Sequence, residues 1–108
     1  MNKAKIIKSS ETFSNIISTK QSYKNKYFSV YYQKSDESNK YGITVPKKVG
    51  KANIRNKLKR QVKNIIITNE FNIQNNYNYV IIIKEAVLTL SYNDMAKELL
   101  DLLEKVSN

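Results

Sequence analysis

Tyr79–Lys84, YVIIIK, is a near-continuous apolar run rich in β-branched residues, far too short to span a bilayer. That is the pattern of a strand covered on both faces rather than one with a wet side. A chain of 108 residues forms one domain, large enough to bury a core without disulfides or metals. The economical architecture around such a strand is α+β: a mixed sheet with helices packed on it.

The remaining elements follow from periodicity and turn chemistry. Ser9 or Ser10 caps a first helix whose Phe13, Ile16 and Ile17 make one apolar face, fraying near Thr19. Gln21–Lys26 reads as a polar connection. Tyr27–Gln33, YFSVYYQ, reads as a strand with enough aromatics to supply both sheet faces. Ser35–Lys40 is a polar turn, and Tyr41–Val45 is a second strand, expected to pair with the first as a hairpin. Pro46 ends it, since proline cannot donate to a central ladder.

A basic loop, Lys47–Lys51, leads into a long helix over Lys51–Thr68 with Ile54, Leu58, Val62 and Ile65 on its packing stripe. Asn69–Asn78 is an Asn-rich connection. Ser91, with Asp94 three residues on, opens a final helix that turns Met95, Leu99, Leu102, Leu103 and Val106 inward. The expected order is α-β-β-α-β-α, with room for a short extra strand before the long helix.

Charge is distributed unevenly. The formal net charge is +10, which calls for a polyanionic partner: nucleic acid first, an anionic membrane surface second. Between Pro46 and Lys63 stand Lys47, Lys48, Lys51, Arg55, Lys57, Lys59, Arg60 and Lys63, and no acidic residue occurs from Ser38 to Asn69. At about 100° per residue, Arg55, Lys59, Lys63, Asn56 and Arg60 fill one arc of the long helix away from its packing stripe. Seventeen lysines stand against two arginines, and both arginines lie in this stretch. Arginine offers a planar multi-donor fork where lysine offers a point charge. Asp94, Glu98, Asp101 and Glu104 gather on the last helix, which should therefore face away from a nucleic acid.

Several chemistries are excluded. The chain has no histidine for acid–base cleavage and no cysteine for a thiolate metal site or a disulfide. Its nine acids are scattered, none beside the basic helix, so a two-metal phosphodiesterase centre is not expected. No phosphate-cradling glycine motif exists, Gly50 before Lys51 being a lone glycine. The apolar run near the N-terminus is too short for a signal peptide, and the chain is expected in the cytoplasm, off the membrane. Binding is the work these residues can do.

The stretch KKVGKANIRNKLKRQVK resembles the signature of the protein subunit of bacterial ribonuclease P, in which a helix carries RN-x-x-KR-x-x-R. Here the pattern is Arg55-Asn56-Lys57-Leu58-Lys59-Arg60-Gln61-Val62-Lys63. It is preceded by Gly42-Ile43-Thr44-Val45 and Lys47-Lys48-Val49-Gly50-Lys51-Ala52 in matching order and spacing. The likeness extends to Phe13, to the strand around Phe28–Tyr31, to Tyr79–Lys84 and to the last helix. Lys63 keeps the charge of the final arginine without its fork, Asn53 replaces a usual apolar residue, and Pro46 stands at an often polar position.

The resemblance implies a single RNA-binding domain over residues 1–108, built as a four-stranded mixed sheet with a left-handed βαβ crossover. It implies an accessory subunit of an endoribonuclease, partnered by a catalytic RNA that uses Mg²⁺ to remove the 5′ leader of precursor tRNA. The ion is held mainly by the RNA, and no protein oligomer is required. Arg55, Asn56, Lys57, Lys59, Arg60 and Lys63 would contact the catalytic RNA or organise its metals. Phe13 and Tyr31 would line a leader cleft between the first helix and the sheet, with Ile17 where the family has a second aromatic. Lys47, Lys48, Lys51 and Lys84 would hold leader phosphates. Two other readings of the basic helix are a ribosomal-protein-like RNA-binding module and a DNA-binding or nucleic-acid chaperone domain.

Overall fold

The computed structural model describes residues 6, 7 and 9–106. The first five residues, part of the segment read above as lacking a leader, lie outside the described residues. The elements run α1 (Ser10–Ser18), β1 (Ser22–Lys24), β2 (Phe28–Lys34), β3 (Lys40–Thr44), α2 (Ala52–Thr68), β4 (Tyr77–Ile83) and α3 (Tyr92–Lys105), with 3₁₀ turns at Lys47–Val49, Glu70–Asn72 and Glu85–Thr89. The sheet order is β1-β2-β4-β3.

That order corrects the expected hairpin. β2 does not pair with β3; β4 lies between them, antiparallel to β2 and parallel to β3. The reason lies in the composition of β4. Tyr79, Val80, Ile81 and Ile83 are all fully buried, and only a central strand covers both faces of such a run. Hairpin pairing of β2 with β3 would have pushed β4 to an edge.

The extra strand lies in Gln21–Lys26, the stretch read as a polar connection. There β1 pairs antiparallel with β2, Tyr23 opposite Val30. Three residues with one aromatic are too few for alternation to show. The Asn69–Asn78 connection is likewise shorter than expected, because β4 begins at Tyr77, and Ile73 within it is buried.

Period-2 alternation sends the sheet's side chains to two different covers. On one face Phe28, Val30, Tyr41, Tyr79, Ile81 and Ile83 form the main core with Leu58, Val62, Ile65 and Ile66 of α2 and Leu99, Leu102 and Leu103 of α3. Tyr41 stacks on Tyr79 there, ring centroids 5.5 Å apart. Burial first, then neighbouring tyrosines for Tyr79 and Glu70 for Tyr41, pushes both hydroxyls above the ordinary tyrosine range. An Asn39 hydrogen bond partly opposes this at Tyr41. On the other face Val80, Ile16 and Ile7 form a smaller cluster with Phe13, Tyr31 and Ile82 packed against it. The sheet is thus sandwiched between α1 and the α2–α3 pair.

Helix signals read as expected at two starts. Ser9 Oγ accepts from the Thr12 amide, and Ser91 Oγ accepts from the Asp94 amide. The five residues expected inward on α3 are all buried. One member of the α2 stripe is not: Ile54 is 38% exposed, while Ile66 joins Leu58, Val62 and Ile65 in the core. Ile54 belongs to the first turn of α2 and lies against Gly50 instead.

Candidate nucleic-acid interface

The basic loop is built to hold its lysines outward. Buried Val49 anchors it, and Lys47 and Lys48, just before it in the same turn, are exposed. The Gly50 amide donates to the Lys47 carbonyl, closing the turn. Arg55, one turn into α2, reaches back so that its Nε donates to the Gly50 carbonyl at 3.1 Å. This bond spends one of five guanidinium N–H donors and fixes the loop against the helix.

α2 starts with no acidic residue in its first turn and no side-chain cap on Lys51. Its positive dipole end therefore adds to Lys47, Lys48 and Lys51 rather than being neutralised. Along the helix Arg60 and Asn56 are exposed, while Arg55, Lys59 and Lys63 are half-buried on the flank toward β3. Leu58 and Val62 hold this cationic face rigid from behind. Lys57 stands apart: with Gln61 it rims a separate groove floored by Leu58, Val87 and Met95.

The second surface lies between α1 and the sheet. Phe13 is half-buried, and its ring lies directly over Gly42 of β3: a Cβ at Gly42 would come within 2.5 Å of Phe13 Cζ. Phe13 thus contributes to the small core while keeping an open edge. Tyr31 is half-buried on the same face, in a row running Ser22, Tyr31, Val80, Gly42 across the four strands. The next row, Lys24, Ser29, Ile82, Thr44, is small or polar apart from Ile82 and Lys24's long stem. Ile17 is on the outer side of α1 and exposed, whereas Ile16 is fully buried.

Two residues of this surface escaped sequence reasoning. Lys24 places its Nζ 5.2 Å from the centroid of the Tyr31 ring, a cation–π pair that sets a charge beside the aromatic. Gly42 is the flat floor that admits Phe13. Lys24 lies in Gln21–Lys26, which reads as a polar connection, while Gly42 belongs to the motif that carries the resemblance but shows no packing role until Phe13 is set over it. Lys84 Nζ donates to the Asn25 carbonyl at 2.7 Å and ties the end of β4 to the approach to β2. Among the described residues, no three acidic side chains gather where they could hold a metal ion. Nor is any helix among them long and apolar enough to cross a membrane.

Fold and surface together define a small basic α+β module that presents a cationic helix face beside an open basic loop. A family model described as Ribonuclease P matches residues 1–107. The chain is 37% identical over 108 residues to the ribonuclease P protein component of Mycoplasma mycoides, covering 98% of this chain and 99% of that one. It is similar to the solved RNase P protein of Thermotoga maritima, at 30% identity and TM-score 0.86, over 92% of this chain and 94% of that one. The RNase P protein of Staphylococcus aureus superposes with TM-score 0.88 at 25% identity, over 96% of each chain. The chain belongs to the ribonuclease P protein family, the protein components of an endoribonuclease complex whose partner is ribonuclease P RNA.

Proposed function

We propose that this chain, as one RNA-binding domain, binds the catalytic RNA through α2 and its basic loop and holds the 5′ leader of precursor tRNA between α1 and the sheet. The observation that carries this reading is the acid-free cationic face of α2, rigidly backed and flanked by an open basic loop. Arg60, Asn56 and the outer donors of Arg55, with Lys59 and Lys63, supply forks and point charges to the RNA backbone. Lys47, Lys48 and Lys51 extend that field toward the substrate. Lys57 joins it from the far side of the helix. Phe13 and Tyr31 offer ring surface to unpaired leader bases, Lys24 offers a charge to the adjoining phosphate, and Ile17 lies at the rim.

Hydrolysis belongs to the RNA in this reading. The residues present do not fit a protein-held Mg²⁺, because no three carboxylates converge among those described. The protein's contribution is to lower repulsion between two polyanions and to fix the leader's path. Lys84 acts on that path mainly by bracing Asn25, with its remaining donors available to a phosphate. The proposed setting is cytoplasmic, and one copy of the chain suffices.

Replacing Tyr31 by alanine is expected to reduce affinity for leader-bearing precursor more than for mature tRNA. The difference should reach about 1–3 kcal/mol, the typical value of one base stacked on an aromatic. Equal losses on both substrates, measured by competition binding to the assembled complex, would place Tyr31 outside the leader path. Affinity for the catalytic RNA should also fall steeply with salt, with a log–log slope of roughly −0.7 to −0.9 per phosphate contact. A flat salt profile contradicts a backbone-binding helix. Preference for duplex DNA over structured RNA in the same titration would instead favour a DNA-binding module.

A further inference from the structure

A slot of about 200 Å³ lies between the flank of α2 and the β3 edge, lined by Ile6, Ile7, Tyr41, Ile43, Lys59 and Lys63. Its third wall is fixed: Ile6 bridges Tyr41 in parallel, and the Ile7 amide donates to the Tyr41 carbonyl at 2.9 Å. The open lining is therefore apolar, from Ile6 and Ile43, while the mouth carries two lysines one helical turn apart. Both main walls, β3 and α2, come from the acid-free part of the chain, and neither lysine pairs with a carboxylate among the described residues. Half-buried cations in that setting favour an incoming anion.

Ligand sites for drug-sized molecules occupy roughly 300–1,000 Å³, so this slot suits a single ring system with a charged appendage. A nucleotide has that form: an apolar, flat base and an anionic phosphate at one end. The slot is also continuous with the cationic arc of α2, where the RNA backbone already runs in the reading above. We propose that it receives one unstacked nucleotide of the catalytic RNA, the base against Ile6 and Ile43, the phosphate on Lys59 and Lys63. This rests on the proposed function and adds a site where that RNA is gripped by a base as well as by its backbone.

Two measurements test it. Ile43→Trp fills the slot without changing charge, and it should weaken binding of the catalytic RNA roughly tenfold, as expected when one base loses its apolar seat. Unchanged affinity for Ile43→Trp, alongside weakened binding by Arg55→Ala/Arg60→Ala, overturns the slot and leaves the wider function standing. Unchanged affinity for the arginine pair defeats the wider function itself. Should Ile43→Trp not fold, the unaltered protein decides, with isoleucine methyl resonances followed during titration with adenosine monophosphate and with ribose 5-phosphate. The monophosphate should shift the Ile6 and Ile43 methyls, and ribose 5-phosphate should not. Equal shifts from both, or none from either, overturn the proposal.

Discussion

Replacing Arg55 and Arg60 together by alanine is expected to weaken assembly with the catalytic RNA by about 100-fold, since each guanidinium–phosphate contact contributes roughly 1.5 kcal/mol or more. The paired control is Lys97→Ala with Lys105→Ala, two exposed lysines on α3, where the acidic residues lie. That pair removes the same formal charge and should change affinity only a few-fold. Equal losses would mean that net charge, not the face of α2, sets binding. Arg55 has a second task, its bond to the Gly50 carbonyl, so its removal also loosens the basic loop. Arg55→Lys separates the two. It keeps the charge but loses the fork, and should recover part of the binding while leaving the loop unpinned. Unfolding curves for each variant, run beside the binding titrations, show whether the helix itself stays intact.

The second large effect comes from a glycine. Gly42→Val drives a side chain into the space the Phe13 ring occupies, where even a bare Cβ would approach to 2.5 Å. Overpacking of this kind typically costs about 1–3 kcal/mol, and here it must also tilt α1 or swing Phe13 out of the cleft. Urea unfolding should report the destabilisation. Competition between precursor and mature tRNA should report a lost preference for the leader. The diagnostic variant is Gly42→Ala combined with Phe13→Leu. A smaller side chain on α1 makes room for the methyl on β3, so the double change should destabilise less than the sum of the two single ones. Strict additivity would mean that Phe13 and Gly42 are not in the close contact described.

The cationic face was legible because it rests on one element. Helical periodicity alone placed Arg55, Lys59, Lys63, Asn56 and Arg60 on one arc, and the structure keeps them there. α3 was legible for the same reason, with its cap at Ser91 and its five inward residues in place. The strand pairing was not. A hairpin between neighbouring strands is the cheap local choice, but the burial of β4 on both faces is a demand of the whole sheet. Ile54 shows a smaller version of the same limit. Periodicity assigns it to the stripe, yet the core ends one turn later, and a sequence does not state where neighbouring elements stop. The cleft was half visible: Tyr31 and Phe13 came from a resemblance, whereas Lys24 and Gly42 became visible only once β1 and β3 were set beside Tyr31 and α1.

The central claim is that this chain serves a catalytic RNA in removing a 5′ leader. Its most direct test is the rate of leader removal from precursor tRNA by the cognate RNA at low Mg²⁺, with and without the purified protein. The account predicts a marked rate increase with protein, lost with Arg55→Ala/Arg60→Ala and reduced for Tyr31→Ala on leader-bearing substrate. An unchanged rate on adding the folded protein under those conditions would contradict it.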